Sequence, residues 1–262
     1  MLRKVSGLLC ASMAIALLVF PSAGSAQLAP ARNVVLVHGA FVTGAGWKPV
    51  YDLLVRDGYN VTIAQHPLTS FADDLAAVKR TLAATDGPIV LVGHSYGGAL
   101  ITAAGNDPKV VSLVYIAAHA LDEGETEAGN GKKFPNEAAP LKKSADGFVS
   151  IDPDLYRIDF AADLPAEQAA FEAHAQAPTS AKVFTVPAKK PAWKTKPSWF
   201  MVAKGDRIIN PDLERMYAKR AGSTTVEIDF ASHSVYQSHP TEVAAMIADA
   251  SRAVVPEEPK AP

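Results

Sequence analysis

The sequence predicts an α/β fold, with a mostly parallel β-sheet flanked by helices and a helical lid insertion in the middle of the chain. Short apolar runs rich in β-branched residues alternate with segments of helical periodicity. That alternation is typical of a parallel sheet that is covered by helices on both faces. It stops between residues 121 and 196, which indicates an insertion at that point.

The apolar runs predict six strands, at residues 34–37, 61–64, 88–92, 110–116, 197–202 and 224–230. Between and after them, apolar residues recur every three or four positions and predict helices at residues 49–57, 71–84, 96–105, 211–220 and 241–254. Glycine and proline mark several of the boundaries, as Gly58 does at the end of the first helix.

Residues 121–196 are predicted to form a helical lid above the sheet. The segment has no clear apolar strand, is rich in Lys, Glu, Ala and Pro, and is too long for an ordinary loop. Within it, residues 152–176 have the pattern of two short helices hinged near Leu164 and Pro165. A surface segment without regular structure is the alternative interpretation.

The N-terminus has the layout of a secretory signal peptide at residues 1–26. Two basic residues precede an apolar run from Leu8 to Phe20, and small residues follow as far as Ala26. The run is shorter than the ~20 apolar residues that a membrane-spanning helix needs. We therefore expect cleavage after Ala26, no stable membrane insertion, and export to the periplasm or the medium.

The remaining residues, 27–262, are numerous enough for one domain with a sizeable core. The last seven, 256–262, are charged and proline-rich and are predicted to be disordered. A formal net charge of −2 favours neither nucleic acid nor an anionic membrane surface as a partner. The only cysteine, Cys10, lies in the predicted signal peptide, so the mature chain would lack disulfides and a thiol nucleophile.

A Gly-x-Ser-x-Gly pattern at residues 93–97 predicts that Ser95 is a nucleophile. An apolar strand precedes the pattern and a glycine-rich helix start follows it, so the chain must turn sharply at the serine. Gly93 and Gly97 flank this turn, where a side chain would collide with neighbouring backbone. A glycine-rich turn with an incidental serine is the alternative, and the strand–turn–helix context argues against it.

A serine hydroxyl needs a base, and His233 is the favoured one among the seven histidines. It follows the last predicted strand, and loops at the carboxyl ends of parallel strands share one sheet edge with Ser95. His239 is the alternative base. Asp206 follows the fifth strand and completes a serine–acid–histidine order typical of this architecture. Asp122, after the fourth strand, is the alternative acid.

Acyl transfer also needs hydrogen-bond donors for a developing oxyanion. The backbone amide directly after the nucleophile, that of Tyr96, is the first candidate, and that of Ala40 in the loop after strand one is the second. Phe41, His94 and Trp193 are predicted to contact the substrate. For the aromatic side chains of this region, packing of the insertion against the core is the alternative.

Five motifs carry a resemblance to a known family: His38-Gly39-Ala40-Phe41, Gly93-His94-Ser95-Tyr96-Gly97-Gly98, Val114-Tyr115-Ile116-Ala117-Ala118, Gly205-Asp206 and Ser232-His233-Ser234. Together they resemble the α/β-hydrolase superfamily, and most of all its branch of small-molecule methyl-ester esterases and hydroxynitrile lyases. The similarity runs from residue 34 to residue 250 and is weakest between residues 124 and 196, where that family carries a small helical lid.

Two positions separate the members of that branch. The lyases resemble one another in having Thr directly after the first-loop histidine and Lys directly after the catalytic histidine. This chain has Gly39 and Ser234 there, so the resemblance favours hydrolysis. A serine at the elbow, where dehalogenases and epoxide hydrolases have an aspartate, disfavours those two activities.

The sequence therefore predicts a hydrolase of small-molecule carboxylic esters that forms an acyl-enzyme on Ser95. The expected partner is a small-molecule ester substrate. No cofactor is expected, because the mature chain has no metal-ligand cluster, phosphate loop or dinucleotide fingerprint. Two alternatives stay open: cleavage of a carbon–carbon or amide bond by the same triad, and a non-catalytic binding module on the same scaffold.

Overall fold

The computed structural model describes Met1 and residues 30–253. The predicted signal peptide beyond Met1 and the predicted disordered tail lie outside the described residues. The described strands are β1 (Asn33–Val37), β2 (Asn60–Ala64), β3 (Ile89–Ser95), β4 (Val110–Ala118), β5 (Lys142–Lys143), β6 (Phe148–Ser150), β7 (Thr179–Ser180), β8 (Ser198–Ala203) and β9 (Thr224–Ile228). The described helices are α1 (Lys48–Arg56), α2 (Phe71–Ala84), α3 (Gly97–Ala104), α4 (Glu127–Lys133), α5 (Pro153–Asp159), α6 (Ala166–His174), α7 (Pro211–Ala221), α8 (Val235–Ser238) and α9 (Pro240–Ala250).

Six strands form the main sheet in the order β2-β1-β3-β4-β8-β9, and every neighbouring pair is parallel. The predicted α/β fold is therefore confirmed. Because all six strands run in one direction, the loops that follow them emerge at one edge of the sheet. The central strand β3 is buried along its whole length and ends at that edge with Ser95.

The two faces of the sheet support two separate apolar clusters. Side chains alternate across a strand, so Val34 and Leu36 of β1 join one cluster while Val35 and Val37 join the other. Helices α1, α8 and α9 cover the first face, and helices α2, α3 and α7 cover the second. The core thus holds the sheet rigidly from both sides, which fixes the edge where the loops meet.

Most predicted elements agree with the structure to within two residues, and the differences are local. Strands β3 and β4 run further towards the edge than predicted, ending at Ser95 and Ala118. Strand β9 ends at Ile228, two residues early, because Asp229 and Phe230 form a turn in which Phe230 has a φ of 59°. The closing helix is preceded by the separate one-turn helix α8.

The insertion contains strands that the sequence did not predict. Strands β5, β6 and β7 form a small antiparallel sheet beside helices α4, α5 and α6. They are two or three residues long and mostly polar, too short for any hydrophobic alternation to develop. The two predicted helices around Leu164 and Pro165 are present as α5 and α6.

Over residues 30–253, no helix combines the length and the apolar character that crossing a membrane requires.

Candidate active site

Ser95 sits at a sharp turn between the end of β3 and the start of α3. Its φ is 54°, in the left-handed region that non-glycine residues rarely adopt. Helix α3 begins two residues later, so the chain passes almost directly from strand to helix. Such a turn lifts the serine hydroxyl above the sheet edge and places it beside the positive end of the helix dipole.

Glycine is required on both sides of Ser95 because backbone lies too close for a side chain. A Cβ atom on Gly93 would lie 2.6 Å from the carbonyl oxygen of Gly97, and one on Gly97 would lie 2.6 Å from that of His38. A Cβ on Gly98 would approach the His119 carbonyl oxygen to 2.7 Å. These contacts give the sequence pattern its physical reason: the turn closes only without side chains.

The structure brings the three predicted triad residues into one hydrogen-bonded row. The Nε2 atom of His233 lies 2.8 Å from the Ser95 hydroxyl oxygen, and its Nδ1 atom lies 2.5 Å from Oδ2 of Asp206. All three side chains are buried. Because a carboxylate only accepts hydrogen bonds, Nδ1 carries the proton and Nε2 is free to accept from the serine hydroxyl.

The acid is held in place independently of the histidine. Oδ1 of Asp206 accepts hydrogen bonds from the backbone amides of Ile208 at 2.7 Å and Ile209 at 2.9 Å. These bonds leave Oδ2 facing His233. The loop between β8 and α7 therefore orients the carboxylate by its own backbone.

The alternative acid and base lie in other surroundings. Asp122 forms an ion pair with Lys194 at 2.5 Å. Burial alone would raise the pKa of the Asp122 carboxyl group, but the contacts with Lys194 and the Glu123 amide outweigh it and lower that pKa. His239 hydrogen-bonds the hydroxyl of Ser238 and lies 3.9 Å from Asp163. Among the described hydrogen bonds, neither alternative contacts a member of the row.

Two backbone amides are free next to Ser95. Among the hydrogen bonds of the described residues, the N–H groups of Tyr96 and Ala40 donate to no protein acceptor. The neighbouring amide of Phe41 is engaged, because it donates to the Thr179 hydroxyl at 3.1 Å. The two amides predicted as oxyanion donors are thus available, while the next one along the loop is not.

Gly39 lies directly against the nucleophile. A Cβ atom at this position would come within 2.8 Å of the Ser95 Cβ and 3.0 Å of the His94 Nδ1. A threonine, the residue by which the lyases resemble one another at this position, would need the loop after β1 to move. The local packing is therefore adapted to glycine at this position.

His94 lies beneath the hydrogen-bonded row. Its ring is completely buried, with Nε2 2.9 Å from the backbone oxygen of His233 and its centroid 4.3 Å from that of Tyr236. Burial, and then the neighbouring His233, lower the pKa of His94 well below its ordinary value, which favours the neutral ring. The ring thus supports the His233 backbone, and its substrate contact stays a prediction.

A pair of stacked histidines braces the loop after β1. The rings of His38 and His66 stack with centroids 3.7 Å apart, and Nε2 of His66 lies 3.0 Å from the His38 carbonyl oxygen. Burial, and then the presence of His66, lower the pKa of His38 to about 3. The stacked pair thus fixes the backbone next to Gly39.

The side chain of Tyr96 extends this support. Its hydroxyl donates to Oδ2 of the buried Asp74 at 2.8 Å, and Oδ1 of Asp74 accepts the Leu68 amide at 2.7 Å. Sequence reasoning missed Asp74. The signal was present, because Asp74 occupies the same helical stripe as the core residues Val78 and Leu82, where an acid is out of place.

A cavity of about 560 Å³ lies between the loop after β1 and the insertion. It is lined by aromatic and polar side chains, among them Phe41, Tyr156, Phe171, Glu172 and Tyr236. Phe41, for which the sequence predicts a substrate contact, lines this cavity, and that contact stays a prediction. Ser95 and His233 do not line the cavity themselves. Phe41 directly follows Ala40, so the cavity begins one residue from the free Ala40 amide.

Trp193 does not line this cavity, and its substrate contact stays a prediction. Its indole N–H donates to the Leu121 carbonyl at 3.0 Å, and the Arg220 guanidinium lies 5.4 Å from its ring centroid. The side chain fastens the end of the insertion to the core. Its residue type could not distinguish that role from substrate binding.

The described residues contain no group of three or more His, Cys, Asp or Glu side chains arranged to hold a metal ion.

Comparisons with known proteins place this geometry in context. A model of the alpha/beta hydrolase family matches residues 34–246. The chain is 27% identical to a pyrethroid hydrolase of Sphingobium wenxiniae, over 83% of this chain and 86% of the relative. A carbendazim hydrolyzing esterase of Nocardioides is 32% identical over 36% of this chain and 45% of the relative. The crystal structure of polyneuridine aldehyde esterase superposes with a TM-score of 0.71 at 19% identity, covering 83% of this chain and 98% of that one.

Proposed function

The chain belongs to the alpha/beta hydrolase family, and we propose that it is a serine hydrolase of small-molecule carboxylic esters. The observation that carries the proposal is the continuous row from the Ser95 hydroxyl through His233 to Asp206, at 2.8 Å and 2.5 Å. An esterase and a pyrethroid hydrolase among the relatives support the ester as the bond cleaved and a small molecule as the substrate.

In the first half of the reaction, Ser95 attacks the ester carbonyl carbon through its oxygen. His233 takes the hydroxyl proton on Nε2, and the Asp206 carboxylate stabilises the resulting imidazolium. The amides of Tyr96 and Ala40 donate to the oxyanion of the tetrahedral intermediate. When the intermediate collapses, Nε2 returns its proton to the leaving alkoxide, so an alcohol departs and an acyl group stays on Ser95.

The second half repeats these transfers with water. His233 removes a proton from a water molecule as its oxygen attacks the acyl carbon, and the same amides stabilise the second oxyanion. The proton then returns to the Ser95 oxygen as the acid is released. Over the whole reaction the protein neither gains nor loses a proton or an electron. Ser95, His233 and Asp206 therefore return to their starting state.

The cavity beside Phe41 is suited to one arm of the ester. Its aromatic lining would bury an apolar group, while Gln168, Glu172 and Gln237 give it a polar wall. An ester whose carbonyl lies at Ser95 can extend past Phe41 into this space. The cavity thus favours substrates with an apolar arm over the smallest acetates.

Replacement of Ser95 by alanine tests the proposal. Turnover of nitrophenyl esters of increasing acyl length should fall to the background level in Ser95→Ala, and an active-site serine probe should label the wild type only. Undiminished ester turnover in the purified variant would contradict the proposal. Failure of the probe to label the wild type would favour a binding module, and turnover of amides alone would favour an amidase.

We also propose that the protein is exported after removal of residues 1–26. The basic start, the apolar run and the small residues before Ala26 support this. Expression in a bacterial host, fractionation and intact-mass measurement test it. A mature mass that begins at Gln27 in the exported fraction is expected, and a full-length protein retained in the cytoplasm would contradict it.

A further inference from the structure

A second carboxyl group is buried next to the triad acid. Glu214 of helix α7 has no exposed surface, and its Oε2 accepts the backbone amide of Ala203 at 3.0 Å. Its other oxygen, Oε1, is also buried and receives no hydrogen bond among the described residues. A buried carboxylate oxygen without a donor is costly, so Oε1 must be satisfied in another way.

The neighbour that can satisfy Oε1 is Asp206. The two residues flank Ala203, whose amide donates to Glu214 at 3.0 Å and whose carbonyl oxygen accepts the Asp206 amide at 3.1 Å. The charge of Asp206 and a side-chain hydrogen bond with it are among the causes that raise the pKa of Glu214, after burial. Two carboxyl groups can form such a bond only when one of them carries a proton. Both oxygens of Asp206 already accept hydrogen bonds, from two backbone amides and from His233, whereas Glu214 accepts only one amide and keeps Oε1 free to carry the shared proton.

The electrostatics agree with this assignment. Burial, and then the negative charge of Asp206, raise the pKa of Glu214 well above its usual range. A raised pKa favours the protonated form of Glu214. With Oε2 occupied by the Ala203 amide, the proton belongs on Oε1, directed at Asp206.

We propose that Glu214 is a positioning residue of the active site: a neutral carboxylic acid whose Oε1–H donates a hydrogen bond to Asp206 and sets how strongly Asp206 draws on His233. This inference rests on the proposed function, since it assigns a part in the same triad. Glu214 itself contacts neither substrate nor nucleophile.

The donated bond has two consequences for His233. It completes the set of donors that hold the Asp206 carboxylate in one orientation, so Oδ2 stays aimed at Nδ1. It also withdraws negative charge from that carboxylate, which limits the stabilisation of the imidazolium form. Loss of the donor should therefore leave His233 more basic and less well oriented.

Few other charges reach this pair. Arg215, next to Glu214 on α7, is half-buried and pairs with Glu227 and Asp212. His233 is faced by His94, whose ring centroid lies 4.7 Å away, and more distantly by His119. Burial keeps both of these rings neutral, because it lowers their pKa values. Besides His233 itself, the Glu214 carboxyl group is thus the ionisable group that acts most directly on Asp206 among the described residues.

Two substitutions of Glu214 separate its donor from its bulk. Glu214→Gln keeps a donor for Asp206 and an acceptor for the Ala203 amide, so it should retain wild-type kcat. Glu214→Met keeps the volume and loses both, so kcat should fall about tenfold or more with little change in KM, as misplacement of a catalytic group does. The acid limb of its kcat/KM profile should move up by about half a pH unit.

Leu213→Ala is the matched control on the same helix. Leu213 is buried, so its truncation should lower the melting temperature without moving the acid limb. A limb that moves as far in Leu213→Ala as in Glu214→Met would overturn the proposal, because the effect would then come from helix packing. A wild-type limb and kcat in Glu214→Met would overturn it too.

Infrared spectroscopy gives a readout that does not depend on activity. Because burial also raises the pKa of Glu127 to about 8, the spectra are recorded on Glu127→Gln, which lacks that second carboxyl group. At pH 8 this variant should show the carbonyl band of a protonated carboxylic acid, and the added Glu214→Gln substitution should remove it. Absence of the band before Glu214 is replaced would overturn the proposal, even if Glu214→Met does not fold. An ester hydrolysis that survives Ser95→Ala would contradict the proposed function alone, since the infrared band would still report on Glu214.

Discussion

The parallel-sheet scaffold (residues 30–120 and 197–253) and the insertion (residues 121–196) hold their polar groups in different ways. In the scaffold, each member of the predicted triad is fixed by backbone or buried side chains, as Asp206 is by two amides. The insertion consists of short helices, three short strands and one wall of the cavity. Under the proposed function, the scaffold would supply the chemistry and the insertion would select what reaches it.

The two regions nevertheless meet at the histidine loop. The carbonyl oxygen of Phe160, at the end of α5, accepts the Ser234 amide at 3.0 Å and the Ser232 hydroxyl at 3.1 Å. The Phe160 ring also packs against the ring of His233, with centroids 4.8 Å apart. The insertion thus steadies the loop that carries the base, and the division between the regions can be tested at several points.

The largest expected effect is confined to the scaffold. Asp206→Asn should lower kcat by about 10⁴-fold, because an amide in place of the carboxylate favours the wrong tautomer of His233. KM should change little, since Asp206 does not line the cavity. Steady-state kinetics on a nitrophenyl ester measure both constants.

Asp122→Asn is the matched control, because Asp122 follows the neighbouring strand and pairs with Lys194 instead. Its kcat should remain near that of the wild type. A comparable loss of kcat in Asp122→Asn, with activity retained in Asp206→Asn, would show that Asp122 is the catalytic acid and that the assignment to Asp206 is wrong.

A smaller effect is expected where the regions touch through a buried carboxyl group. Glu127 of the insertion lies with Oε2 3.4 Å from Nε2 of His119, a scaffold residue. Burial raises the pKa of Glu127 to about 8, above its unfolded value. The folded state therefore binds this proton more tightly than the unfolded state does. The stability that the bound proton contributes is fully present below the unfolded pKa of Glu127 and is lost as the pH rises towards 8.

Glu127→Gln removes this pH dependence. Relative to the wild type, its melting temperature should rise steadily from pH 5 to pH 8, because one such group changes the free energy of unfolding by at most about 1.4 kcal/mol per pH unit. Thermal denaturation across that range measures the difference. Glu123→Gln, at an exposed position nearby, should run parallel to the wild type. A pH-independent gap between Glu127→Gln and the wild type would contradict the assigned cause.

The same division explains what the sequence could and could not predict. Scaffold strands are continuous apolar runs with a local signature, so their order along the chain is enough to place Ser95, Asp206 and His233 at one edge. Strand β5, two lysines, has no such signature, because tertiary pairing alone creates it. The contacts of Trp193 were hidden for a related reason: an aromatic side chain is apolar on either side of the insertion, and only the fold brings its indole N–H to the Leu121 carbonyl.

His94 and Glu214 show a second limit. The sequence pattern shows that His94 directly precedes Ser95, but it does not show where the ring points. The geometry of the turn directs the His94 ring under the backbone of His233. Glu214 follows the buried Leu213 and precedes Tyr217 and Ala218 on the buried face of α7, so an acid at an apolar position was visible in the sequence. Its partner was not visible, because Asp206 reaches it only through the loop after β8.

The smallest effect is expected for an exposed aromatic residue of the insertion. Phe171 on α6 lines the cavity with 72% of its surface exposed, so it packs against little and contributes little to stability. Phe171→Ala should leave the melting temperature and the kcat for short esters unchanged. It should raise KM several-fold for esters with a long or aromatic arm, because the arm loses part of the apolar wall that would bury it.

Ile158→Ala controls for the loss of an exposed apolar side chain in the same region. Ile158, on α5, is 57% exposed and does not line the cavity. Its KM values should match the wild type for every ester in the series. If Phe171→Ala changed kcat for short and long esters alike, the insertion would act on the chemistry itself, and the division between scaffold and insertion would fail. A change restricted to KM of the long esters would instead place substrate choice in the insertion, because the row of Ser95, His233 and Asp206 is untouched by the substitution.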